Sequence, residues 1–115
     1  MTDPATFLAE RLAELWRSSR PVVLERMTVL HSTLDRLMQN PADAEARAAG
    51  REAAHKLSGI LGVFGLPAGS QIASEIEGIL LVPGDEGRDA LSPAALGALH
   101  GYLGDLDAVI ASKPA

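Results

Sequence analysis

At 115 residues, 47% hydrophobic and 22% charged, the chain has the composition of one folded domain spanning residues 1–115, with room for a single core. It contains no cysteine, which excludes disulfide scaffolds, thiol nucleophiles and cysteine–zinc sites; its three histidines show no metal-ligand spacing, so no metal or cofactor of its own is expected. A formal net charge of −5 argues against nucleic acid or an anionic membrane surface as partner.

Helix punctuation is frequent and strand patterning is nearly absent. Asp3-Pro4 reads as an N-cap followed by proline at the first helical position, and Leu8, Leu12 and Leu15 recur at helical spacing with Trp16 beside them. Phe7 and Trp16 are read as packing residues of this first helix. Ser18-Ser19-Arg20-Pro21 reads as a break or kink, because proline removes one backbone hydrogen bond and crowds the preceding turn. Val23, Met27, Leu30, Leu34 and Met38 form the next stripe. Asn40-Pro41 reads as a further cap-and-proline start, with Asp43 favouring the helix N-terminus, and the helix it opens spans about 41–64. Gly65-Leu66-Pro67 stops that helix and starts another, carrying Ile72, Ile76, Ile79 and Leu80. Pro83-Gly84-Asp85-Glu86-Gly87 reads as a loop. Ser92-Pro93 opens the last helix, with Leu96, Leu99, Leu103, Leu106 and Ile110 on one face. The predicted fold is therefore all-α: an up-and-down antiparallel four-helix bundle preceded by an additional short N-terminal helix.

Charge is unevenly spread. Residues 1–65 carry eight acidic and eight basic side chains, whereas residues 66–115 carry seven acidic groups against Arg88 and Lys113. The whole negative balance falls in the second half, read as a solvated acidic face. No apolar run approaches the ~18 residues of a membrane span, and Met1-Thr2-Asp3-Pro4 lacks the basic and apolar segments of a secretory signal. A cytoplasmic location without membrane contact is the expectation, and nothing in the sequence demands self-association, so a monomer is expected.

Placing each histidine on its helix at about 100° per residue separates the three. Around Leu57 as the centre of the buried stripe, Ala53, Leu61 and Phe64 fall within roughly 40°, while His55 falls at about 160°, on the outer side of a long helix. His31 lies about 40° from Met27, inside its own helix's stripe, and reads as packed or partly buried. His100 sits on a flank, about 100° from Leu99. Gly59 and Gly62 follow His55 by one and two turns on the same outer face, with Arg51 one turn before and Ser58 adjacent. Interior glycines cost roughly 1 kcal/mol each relative to alanine, and here they leave bare backbone beside an imidazole. Gly97, Gly101 and Gly104 on the last helix face outward with no histidine among them, so outward glycines by themselves identify nothing.

Local sequence adds what periodicity does not. Ala54-His55-Lys56-Leu57-Ser58-Gly59, then Phe64-Gly65 and Ile76-Glu77, resembles the signature of histidine-containing phosphotransfer (HPt) domains, in which the active histidine is followed by leucine at the second position and glycines at the fourth and tenth. The motif covers residues 54–77, and the predicted helix order fits the family over nearly the whole chain. The resemblance implies a phosphorelay intermediate rather than a turnover enzyme. His55 would accept a phosphoryl group on Nε2 from a receiver-domain aspartate and return it, exchanging with a response regulator and with a hybrid sensor histidine kinase. The receiver would supply Mg²⁺. Many members carry lysine three positions after the histidine, where this chain has Ser58; Arg51, Lys56 and the Ser58 hydroxyl are the candidate helpers, and Gly59 gives access. Glu77 has two readings: a surface carboxylate about 100° from Ile76, which is preferred, or a carboxylate that orients the imidazole from the adjacent helix, as in chemotaxis-kinase relatives. Gln71 lies on the outward side of the same helix.

The competing reading is a helical docking or inhibitory module that binds a kinase or response regulator without accepting phosphate. A small hydrolase is disfavoured by the lack of a glycine-rich phosphate loop or a carboxylate or histidine cluster. A complete histidine kinase is excluded by length.

Overall fold

The computed structural model describes residues 3–81 and 90–115. The loop expected at Pro83–Gly87 lies outside the described residues. Four helices account for nearly all of the rest: α1 (Pro4–Gln39), α2 (Ala44–Val63), α3 (Pro67–Leu80) and α4 (Pro93–Ala111). No strand occurs among the described residues.

Contacts between neighbours fix the directions. Thr33 Oγ1 donates to Val29 O at 2.9 Å and to Ala46 O at 3.3 Å, tying α1 to the start of α2. Arg36 reaches the two Asp43 carboxylate oxygens at 3.1 and 3.3 Å, while Asp43 also caps α2 by accepting from Ala46 N at 3.0 Å. A Cβ on Gly69 of α3 would lie near Val109, Leu61 and Leu106, and His31 of α1 meets Asp107 of α4. Each helix thus runs antiparallel to its neighbours, and α4 returns to α1, closing an up-and-down bundle. Gly50 marks the tightest crossing: a Cβ there would stand 2.6 Å from Thr33 Cγ2 and 2.9 Å from Leu80 Cδ1, so glycine lets α1, α2 and α3 meet. Gly65 terminates α2 with φ of 73°, and Leu66 N bonds back to Leu61 O at 2.9 Å, the left-handed helix stop that glycine permits. The core is aliphatic, with Val23, Leu30, Leu37, Leu57, Leu61, Ile76, Leu80, Leu99, Leu103 and Leu106 essentially inaccessible.

The main departure from expectation is at the N-terminus. Pro21 does not break the chain into a short helix and a second one: α1 is continuous through it for 36 residues. Trp16, Val23, Met27, Leu30, Leu34 and Leu37 make one buried stripe across the proline, which itself faces solvent. The buried indole holds the two halves in line. Its Nε1 donates to Lys113 O at 3.0 Å, its ring meets Phe64 edge-on at 5.3 Å, and the Lys113 ammonium lies 5.8 Å from its centroid. Leu37 takes the inward place expected of Met38, which is 64% exposed. Phe7 is not a packing residue either: it is 62% exposed, beyond the end of the other helices.

Two smaller expectations also change. Helix α2 begins at Ala44 with Asp43 as its cap, not at Asn40-Pro41; the Asn40 side chain instead accepts from Ala42 N at 3.1 Å, closing the turn between α1 and α2. His31 is not packed. Its side chain is half-exposed, and Nε2 lies 2.9 Å from Asp107 Oδ2 across the α1–α4 seam. The buried residues of α1 centre on the Val23 and Leu30 side of Met27, so Met27 marks the edge of the stripe and His31 falls beyond it. No described helix is long and apolar enough to cross a membrane.

Because Pro21 is solvent-facing and leaves the Arg17 carbonyl without its helical donor, Pro21→Ala should stabilise the protein by about 1–3 kcal/mol. Urea unfolding monitored by circular dichroism measures this; an unchanged or lower midpoint would show that the proline sets a bend the packing requires.

Candidate functional site

Helices α2 and α3 pack antiparallel in a register that repeats along their seam. Glu77 lies opposite His55, Ser74 opposite Ser58, and Ser70 beside Gly62; each step forward on α2 matches an equal step back on α3. The register follows from the short Phe64–Leu66 connection and from the buried stripes Ala53, Leu57, Leu61 and Ala73, Ile76, Leu80, which rotate the two flanks toward one another.

On this seam His55 is 74% exposed, as its place opposite Leu57 requires. Its Nδ1 lies 2.9 Å from Glu77 Oε2. An ionised carboxylate only accepts, so in the neutral ring the proton sits on Nδ1 and the Nε2 lone pair is free. The Glu77 side chain is only 31% exposed, held against the helix pair. The preferred sequence reading of Glu77 as a plain surface carboxylate is therefore corrected: the α2–α3 register, which helical periodicity does not contain, brings it onto the imidazole.

The remaining sequence candidates divide. Arg51 joins His55 and Glu77 in lining one shallow surface cleft, with Ala48 and Glu52 completing it. Lys56 is engaged at the edge of that cleft: its Nζ lies 2.8 Å from Glu52 Oε1 one turn back. Hydrogen bonding from this ammonium and its positive charge hold the Glu52 carboxyl below the usual range. The Ser58 hydroxyl is committed to α3, 2.9 Å from Ser74 Oγ and 3.3 Å from Ser70 Oγ, while Ser70 donates to Ser58 O at 2.8 Å. Gly59 has nothing within 4 Å of where a Cβ would stand, so one turn beyond His55 the helix surface is open. Gly62 is exposed too, but a Cβ there would touch Ser70, so it belongs to the seam rather than to the opening. Gln71 is exposed and bonds to Glu75.

Ser70 and Ser74 were not singled out in the sequence. Their signal was present: with Glu77 they stand four and three residues apart, on one face of α3. No group of three or more metal-ligating side chains occurs among the described residues.

The α2–α3 face thus carries an exposed imidazole in contact with a carboxylate from the next helix and flanked by bare backbone. The sequence matches the Hpt domain family over residues 6–109, and the chain belongs to that family of phosphotransfer modules. It is also 33% identical over 82 residues to Protein RcaC of Microchaete diplosiphon, an alignment that covers 71% of this chain but 12% of that protein. The chain thus spans a small part of that relative's length. No solved structure matches.

Removing the Glu77 carboxylate should release the ring. In ¹⁵N NMR of the neutral imidazole, the wild type should show the Nδ1–H form of His55, and Glu77→Ala should shift the population toward Nε2–H with the helical content unchanged. An identical tautomer in both proteins would mean that the contact does not orient the ring.

Proposed function

We infer that this chain relays phosphoryl groups through His55, exchanging them with the aspartate of a receiver domain. The observation that carries the reading is the His55–Glu77 contact, because it both selects the reactive nitrogen and stabilises what forms on it. In the forward step, the Nε2 lone pair attacks the phosphorus of an aspartyl phosphate. The N–P bond forms as the P–O bond to the aspartate breaks, and the carboxylate leaves with the bonding pair. The ring keeps its Nδ1 proton and becomes cationic, and the Glu77 carboxylate 2.9 Å away offsets that charge through a charge-assisted hydrogen bond. Return of the group to an aspartate runs the same path backward.

In-line transfer needs the entering and leaving atoms on opposite sides of the phosphoryl group, so a second protein must bring its carboxyl close to the ring. The exposure of His55 and the open surface at Gly59 allow that approach. Arg51, in the same cleft, is the candidate to neutralise phosphoryl charge; Lys56, paired with Glu52, and Ser58, bonded to α3, are structurally engaged. The receiver supplies the Mg²⁺ of the reaction in this reading, and the domain itself turns over no small substrate. A hybrid sensor kinase and a response regulator are the partner classes on either side.

Incubation with a phosphorylated receiver tests the assignment. The wild type should acquire acid-labile, base-stable phosphate, and His55→Gln should acquire none while keeping its thermal unfolding midpoint, since the ring lies outside the core. Normal labelling of that variant would refute the site. No labelling of the wild type across receivers would favour a docking module. Glu77→Ala should slow labelling by about tenfold to a hundredfold if the carboxylate acts as described, the range typical of losing a supporting hydrogen bond to a reactive imidazole. Gly59→Phe should slow transfer between proteins without altering hydrolysis of phosphohistidine already formed; equal transfer rates would remove the access argument.

A further inference from the structure

We propose that Glu52 is a positioning residue for the phosphoryl group on His55: it engages the Lys56 ammonium, cancels that charge beside the ring, and so keeps the phosphoryl group transferable. The proposal rests on the relay reading of His55 and adds to it a residue that sets how tightly the group is held.

Helix geometry brings the three side chains together. Glu52 stands three positions before His55 and four before Lys56, so both are its neighbours on the next turn of α2. At 100° per residue Glu52 falls about 60° from His55 and about 40° from Lys56, between the two around the helix. Side chains on a helix lean toward its N-terminus, which carries the imidazole and the ammonium toward the turn that holds Glu52. The contacts follow. Glu52 lines the cleft of His55 together with Arg51 and Glu77, and its Oε1 lies 2.8 Å from Lys56 Nζ. Of the two lysines in the chain, Lys113 sits beside Trp16 at the far end of α1's buried stripe, so Lys56 is the lysine that neighbours His55.

The charged groups around the ring have different commitments. Glu77 meets Nδ1, which leaves Nε2 as the nitrogen that takes the phosphoryl group. Arg51 borders the cleft one turn before His55. Hydrogen bonding and charge from Lys56, and then the charge of Arg26 on α1, hold the Glu52 carboxyl below the usual range, so it is a full anion at neutral pH. A paired anion and cation are neutral as a unit. Lys56 in its pair therefore offers little net attraction to a phosphoryl group carrying about −1.5 to −2 charges. Without Glu52, the same ammonium on its flexible four-carbon stem would have the phosphoryl oxygens as competing acceptors beside it. The pair is also exchangeable, because Glu52 is 68% and Lys56 43% exposed, and ion pairs this open to water are weak. A relay has to release the group as well as accept it. An ammonium fixed on the phosphoryl oxygens would hold back the return step, and Glu52 competes for that ammonium.

A ³¹P NMR titration of the full chain tests this without a receiver. Phosphoramidate, a small phosphodonor, phosphorylates exposed histidines directly, and the His55 resonance is identified by its loss in His55→Gln. The titration midpoint of the phosphoryl group reads local charge, because a nearby cation lowers it and a nearby anion raises it. Glu52→Gln should lower the midpoint by about half a pH unit, a roughly threefold change in protonation ratio, as one exposed charge produces. The double variant Glu52→Gln/Lys56→Met, which replaces the pair by neutral side chains, should return the midpoint to the wild-type value. Glu45→Gln makes the same change in net charge about 10 Å farther back along α2 and should leave it unmoved. With a receiver present, Glu52→Gln should retain about threefold more phosphate on His55 at equilibrium, a gain that damage to the helix would not produce. An unmoved midpoint in Glu52→Gln, or an unchanged partition with the receiver, overturns the proposal. So does a lowered midpoint that persists in the double variant or appears equally in Glu45→Gln, since Glu52 would then not act through Lys56. Failure of every receiver to label the wild type would refute the relay reading, while the phosphoramidate titration still decides whether Glu52 cancels the Lys56 charge at His55.

Discussion

The antiparallel register of α2 against α3 is the constraint on which the site depends. It sets Glu77 opposite His55 while the buried stripe of α2 turns the imidazole into water, so one helix pair meets two conflicting demands. The relay proposed for His55 requires an exposed ring, and an exposed side chain on one helix is normally free to rotate. A carboxylate from the neighbouring helix removes that freedom without covering the ring. The serine contacts one turn along hold the same register through hydroxyl hydrogen bonds. A slip of one helical turn in this seam would leave the imidazole exposed but unoriented.

The rest of the bundle protects that register. Gly50 brings three helices together at the end of the seam nearest Leu80, and the Gly65 stop holds the α2–α3 connection short at the other end. The core supplying this rigidity is almost wholly aliphatic, so cohesion comes from many small side-chain contacts rather than a few large rings. The exception is Trp16, which closes the Gly65 end of the bundle by joining α1 to Phe64 and to the Lys113 carbonyl. That anchorage also aligns the helix that projects beyond it.

Proline was the most misleading signal in the sequence. Pro21 removes one hydrogen bond and would end an isolated helix, yet the apolar stripe keeps phase from Trp16 through Val23 to Leu37. Packing summed along that stripe outweighs a local cost of about 3 kcal/mol. The same limitation explains Asn40-Pro41, where either Asn40 or Asp43 had suitable cap chemistry. The bidentate contact of Arg36 with Asp43, visible only once α1 and α2 are folded together, accompanies Asp43 as the cap.

From sequence alone came the helical class, most element positions, the aliphatic core and the outward placement of His55, because each rests on spacing within one helix, where geometry is nearly invariant. The Hpt resemblance likewise rested on local spacing around His55. The partner of His55, the engagement of Ser58 with Ser70 and Ser74, the diversion of Lys56 to Glu52 and the survival of α1 through Pro21 were decided only by tertiary structure. Those outcomes depend on relative rotation and register between helices, or on choices among side-chain partners. Periodicity along a single chain carries no direct measure of either.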